Sequence, residues 1–100
     1  MYLTVKMLKK HKACQEQVDM FEATFPDGVQ VTEDVCLAVA DKFEFTWAAG
    51  HLLPPEARAE YKAEHTPILA DYFARQSPSG EEYRQQRAAL FGRIAENLGD

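Results

Sequence analysis

The sequence predicts an all-α fold, a compact bundle of short helices over about residues 4–53 followed by a kinked or broken helical repeat over 54–98. Three observations predict it. Apolar residues in the N-terminal half recur three and four positions apart, the spacing of one helical face. Thr, Pro and Gly fall where helices start and stop. From Glu60 onward an 11-residue period appears, which is three helical turns.

Taken in order, Thr4 suits the N-cap of a first helix over Val5–Lys10, with lysines at its negative end. Cys14, Val18, Phe21 and Phe25 then form one apolar stripe on a second helix. Pro26-Asp27-Gly28 ends that helix in a tight turn, because Pro cannot extend the hydrogen-bond ladder and Gly supplies a positive φ. Val29–Val31 is extended at most briefly. Thr32 caps a third helix whose first turn carries Glu33 and Asp34, and whose apolar side is Val35, Cys36, Val39 and Ala40. Phe43, Phe45 and Trp47 alternate as a strand would, but no second strand exists to pair with them. A turn ending at Thr46, the N-cap of a fourth short helix, is the better reading, with the aromatics at the centre of the core.

Pro54-Pro55 opens the repeat. Glu60-Tyr61, Asp71-Tyr72 and Glu82-Tyr83 stand 11 residues apart, and Ile94 takes the next tyrosine position. Thr66-Pro67 and Ser77-Pro78 keep the same period, each looking like an N-cap followed by a first helical residue. The spacing predicts short helices or a kinked one over 55–76 and a cleaner helix from about 79 to 98, with Ile68, Leu69, Tyr72, Leu90, Phe91, Ile94 and Leu98 on one face. Three imperfect copies are too few for a free-standing solenoid, so the repeat is expected to pack on the N-terminal helices.

The chain has 100 residues, 46% hydrophobic and 27% charged, which fits one ordinary globular domain. The net charge of −5 argues against direct nucleic-acid binding, which needs Lys and Arg on phosphates. No apolar run is long enough to span a membrane. Met1–Lys12 is too short and interrupted for a secretory leader, so an intracellular protein is expected. Cys14 and Cys36 lie among apolar residues and read as two reduced core thiols; they could form a redox pair only if their helices cross. A metal site could draw on His11, Cys14, Cys36 and either His51 or His65, but the H-x-x-C spacing stands alone. The sequence contains no phosphate loop, nucleophile elbow or H-E-x-x-H motif, so binding rather than catalysis is expected, without cofactor or metal.

The charge is unevenly distributed. Residues 1–12 carry +4, residues 13–44 carry −7, and residues 45–100 carry −2. Glu16, Asp19 and Glu22 lie away from the apolar stripe of the second helix, and Asp27, Glu33 and Asp34 continue the acidity into the third. Such a face either keeps a small acidic protein soluble or recognises a basic groove on another protein. Tyr61 and Tyr72 are further partner-binding candidates, since tyrosine is common at interface hot spots, although an 11-residue period also suits core-edge positions.

The stretch Ala13–Thr32 (ACQEQVDMFEATFPDGVQVT) resembles a widespread family of small proteins encoded by phages and other mobile elements. The shared pattern is Ala-Cys, a spaced aromatic, then F-P-x-G-v-x-V-T. It continues through Ala38, Ala40, Trp47-Ala48, Leu52-Leu53, Arg58-Ala59-Glu60-Tyr61 and Arg87-Ala88-Ala89-Leu90, covering residues 13–94. The chain departs from it in its prolines, in Gly80 and in its few repeats. The resemblance implies a phage-type accessory protein, and the acidic helices suit an anti-CRISPR protein. As such, it would act in the host cytoplasm as a monomer or weak dimer. It would bind the protein subunits of a type I surveillance complex stoichiometrically and block target DNA as a DNA mimic, without touching nucleic acid or membrane. The alternative is a phage structural or scaffolding accessory that assembles through its helical repeat.

Overall fold

The computed structural model describes residues 1–75 and 80–98, which form six helices and one two-stranded ribbon. The all-α expectation holds, with α1 Val5–Lys10, α2 Gln15–Thr24, α3 Glu33–Ala38, α4 Phe45–Leu52, α5 Pro55–Arg75 and α6 Glu81–Asn97. The strands β1 Tyr2–Leu3 and β2 Val29–Gln30 pair antiparallel, Tyr2 opposite Gln30 and Leu3 opposite Val29.

Local chemistry explains most helix boundaries. The Thr4 Oγ1 accepts from the Met7 amide at 3.3 Å, and the Thr32 Oγ1 accepts from the Val35 amide at 3.1 Å, so both predicted caps form. The first helix closes with the Lys12 amide bonded to the Lys9 carbonyl and the Ala13 amide to the Leu8 carbonyl. This arrangement needs a left-handed residue, and Lys12 at φ 61° supplies it where glycine is usual. At the fourth helix the expectation misses by two residues. Glu44, not Thr46, is the N-cap, and its carboxylate accepts from the Thr46 amide at 3.2 Å.

The ribbon depends on Gly28. At φ 87° it closes the turn after α2, and a Cβ there would lie 2.7 Å from the Leu3 carbonyl oxygen. The Tyr2 hydroxyl, which donates to the Asp27 carbonyl at 2.6 Å, pins the same corner. Two-residue strands carry no readable periodicity, so the pairing partner at Tyr2–Leu3 was not visible in the sequence.

The repeat segment is where tertiary context changes the reading most. Thr66-Pro67 does not restart a helix, because α5 runs through Pro67. The Thr66 hydroxyl instead donates back to the Lys62 carbonyl at 2.9 Å. Ser77-Pro78 lies outside the described residues, and α6 begins after Gly80. The 11-residue copies do not stack in line. They fold against one another as α5 and α6 run antiparallel, with the Tyr72 and Tyr83 rings 4.8 Å apart and Glu64 paired to Arg93 at 2.9 Å. Leu98, expected on the inward face, is exposed.

The core centres on α6. Leu53, Leu90 and Phe91 are its largest fully buried side chains. Phe45 packs on Phe91 at 5.6 Å, and the aromatic series continues through Phe43 to Phe21 and Phe25; Phe45 is buried as expected, whereas Phe43 and Trp47 are only half-buried. The third helix crosses α6 at Gly92, where an added Cβ would lie 2.7 Å from both the Glu33 Cα and the Thr32 carbonyl oxygen. Only a residue without a side chain permits that approach. Among the described residues, no helix is long and apolar enough to cross a membrane.

Candidate docking surface

The second helix buries Val18 and Phe21 and leaves Glu16, Asp19 and Glu22 exposed. Successive members of this trio differ by three residues, so they stay within about a third of the helix circumference and rise about 4.5 Å per step. The Asp19 Oδ1 accepts from the Gln15 amide side chain at 2.7 Å. Asp27 and Asp34 are exposed as well. Among the described residues, none of these five carboxylates meets a Lys, Arg or His.

The other sequence-predicted site residues lie elsewhere. Glu33 is half-buried at the crossing of α3 and α6, where its amide lies 3.4 Å from the Glu96 carboxylate. Tyr61 is only 4% exposed, so its ring belongs to the core and presents no contact surface. Tyr72 is half-buried between Phe73 and Tyr83. Both cysteines are free, but only Cys36 is a core thiol; Cys14 is exposed at the N-cap of α2, a correction to the apolar stripe. Cys14 falls there because the helix starts one residue later, leaving its side chain outside the buried face.

Burial pushes the Cys36 thiol up to about 12, with the Glu96 carboxylate adding to the shift, so it stays protonated near neutral pH and is a poor nucleophile. His65 is lowered, first by burial and then by the Arg87 guanidinium, with Glu44 opposing. Its Nε2 lies 2.8 Å from the Tyr83 hydroxyl, and its ring stacks on Tyr61 at 5.2 Å. Burial also raises Tyr61, whose hydroxyl sits 3.4 Å from that of Thr46. Among the described residues, no three His, Cys, Asp or Glu side chains come close enough to hold a metal ion.

Sequence reasoning missed two features. Arg84 and Arg87 on α6 reach back to Asp41 and Glu44 at 2.9 and 2.8 Å, neutralising the far end of the acidic segment. The segment also walls a cavity of about 60 Å³ whose lining includes Phe21, Phe25, Val35, Phe43, Trp47 and Leu52. The Phe43/Phe45/Trp47 cluster was the available signal for the cavity; a void between rings leaves no trace in a sequence.

Comparisons with protein-family models, curated proteins and solved structures find no match to this chain. The reading of the surface therefore rests on its own residues.

Proposed function

We propose that the protein is a stoichiometric inhibitor that docks the acidic face of α2, the following turn and the start of α3 on a basic, DNA-binding surface of another protein. The observation that carries this reading is the contrast in charge pairing. Glu16, Asp19, Glu22, Asp27 and Asp34 are exposed and have no cationic neighbour among the described residues. Carboxylates held on a helix attract a basic partner, speed its encounter and select against acidic surfaces. The specific target we propose is the DNA-binding surface of a type I surveillance complex, which makes the protein an anti-CRISPR inhibitor. That step is supported by the sequence resemblance over residues 13–94 alone.

The deciding measurement is target-DNA binding by a purified type I surveillance complex with and without the protein. Inhibition with co-purification is expected. Absence of both, with unchanged phage plating on immune hosts, rejects the target. Reversing Asp19, Glu22 and Asp34 together to Lys is expected to abolish inhibition with helicity intact. Unchanged inhibition would move the interface to the C-terminal repeat or to the Lys6/Lys9/Lys10/Lys12 arm. The scaffolding alternative draws on Phe73, 66% exposed on α5. A stable homo-oligomer in sedimentation that the Phe73→Ser variant dissolves would favour it.

A further inference from the structure

The first helix and the residues after it carry a basic arm that the acidic docking face does not use. Lys6, Lys9, Lys10 and Lys12 are exposed, and none forms an ion pair among the described residues. Lys6, Lys9 and Lys10 fall within about 100° of the helix circumference, on the side away from the buried Leu8.

Helix chemistry accounts for only two of the four. Lys9 and Lys10 occupy the last turn, where the macrodipole favours cations. Lys6 stands in the first turn, where the same dipole disfavours positive charge and no acid accompanies it. Lys12 holds φ 61°, a left-handed conformation that glycine adopts at less cost. Two lysines thus sit where the local structure does not favour them, and a residue that breaks a local rule points to a use beyond the helix.

The fold keeps this positive charge next to the negative one without joining them. The first helix packs on the second, whose Glu16, Asp19 and Glu22 are exposed and also lack a cationic partner among the described residues. A purely basic partner satisfies these carboxylates and repels the lysines. A polyanion does the reverse, and the net charge of −5 opposes its approach. A surface with acid beside base satisfies both, and a second copy of this chain is such a surface. Reciprocal docking sets two such contacts against one association cost, which favours a closed pair over a one-way chain.

We propose that the protein self-associates as a weak dimer in which the Lys6/Lys9/Lys10/Lys12 arm of each copy lies against the acidic face around α2 of the other. The proposal does not rest on the inhibitor reading, but it uses the same carboxylates. A second copy docked there covers the face, and a basic partner has to displace it.

Exposed ion pairs are individually weak and are screened by salt. A Kd of about 0.1–1 mM is therefore expected in about 20 mM NaCl, rising at least about tenfold in about 500 mM. Sedimentation equilibrium of the full chain, with no other protein present, measures both. Lys6→Glu/Lys9→Glu/Lys10→Glu and Asp19→Lys/Glu22→Lys/Asp34→Lys are each expected to be monomeric, with the circular dichroism of the unaltered chain. Mixed in equal amounts, they should recover a dimer, because the reversed arm of one again meets the reversed face of the other. Glu56→Lys/Glu60→Lys, which reverses two exposed acids on α5, should associate as the unaltered chain does.

An unaltered chain that stays monomeric in low salt overturns the proposal. So does association that salt leaves unchanged and Phe73→Ser dissolves, which assigns the contact to α5. Failure of the mixed variants to recover a dimer, or equal loss of association in the Glu56/Glu60 variant, overturns it as well. If a reversal variant loses its helical signal, the salt series on the unaltered chain decides. Failure of the inhibitor reading is detected separately, by inhibition that survives the Asp19, Glu22 and Asp34 reversal.

Discussion

The acidic face around α2 and the seam between α5 and α6 use the same kind of residue for opposite ends. In the seam and its approach, Asp41, Glu44 and Glu64 each meet an arginine of α6, at 2.9, 2.8 and 2.9 Å. On α2, the following turn and the start of α3, Glu16, Glu22, Asp27 and Asp34 meet no cation among the described residues. A carboxylate with an arginine partner is committed to the fold, whereas one facing water remains available to another molecule. Net charge alone does not separate these cases. The difference predicts that substitutions in the seam cost stability, while those on the open face cost binding.

The largest expected effect falls on α6 where it passes closest to another element, the start of α3. Gly92→Ala puts a Cβ 2.7 Å from the backbone of Thr32 and Glu33, and neither backbone atom can turn aside as a flexible side chain would. Overpacking of this kind typically costs about 1–3 kcal/mol, offset in part by the better helix propensity of alanine, near 1 kcal/mol. A lower urea midpoint with an unchanged slope is the expected readout.

Next comes Glu44→Ala. It removes the acceptor of Arg87, whose side chain is only 12% exposed and whose Nε is already buried without a partner among the described residues. The Tyr83 ring, 5.5 Å from the guanidinium carbon, remains as its neighbour. The variant also loses the α4 cap. Because Glu44 is itself half-exposed, a combined loss of about 1–2 kcal/mol is expected, read from the same denaturation curve.

The seam also carries a pH dependence. His65 is lowered below its ordinary value of 6.5, so the unfolded chain takes up this proton first as pH falls. Its contribution is therefore present above that value, is lost as pH drops through it, and levels off below the folded value. Groups facing it act in both directions, Arg87 lowering and Glu44 raising, with Tyr61 and Tyr83 against the ring. Between about pH 7.5 and 5.5, the unaltered protein should lose more stability than His65→Gln. Equal slopes would remove His65 from the seam's balance.

The smallest effect on stability is expected where the effect on binding is greatest. Reversing Asp19, Glu22 and Asp34 to Lys should shift stability by about 0.5 kcal/mol per site or less, since all three are exposed and none has a cationic partner among the described residues. A shift as large as that of Gly92→Ala would erase the distinction between the two regions.

Caps, turns and apolar stripes were legible residue by residue. Thr4, Thr32, Val18, Phe21 and Gly28 sit as their chemistry requires, because each answers to neighbours within about one helical turn. The exposure of Glu16, Asp19 and Glu22 was equally visible, as the opposite side of an apolar stripe. The role of Thr66-Pro67 was not legible. The pair looks the same whether it starts a helix or sits inside one, and α5 resolves it by packing along α6. Cys14 and Thr46 missed their expected roles by the same limit, since a shift of one or two residues in a helix start is settled by what the helix packs against.

The sequence by itself determined the helical class, the starts of the first and third helices and the concentration of acid between residues 13 and 44, all of which depend on local order along the chain. Only the tertiary structure decided which of those acids are neutralised, that Tyr61 is core and that a small apolar space lies among the aromatics. Those outcomes depend on contacts such as Glu44 with Arg87, 43 residues apart, which exist only once α6 lies against the N-terminal helices.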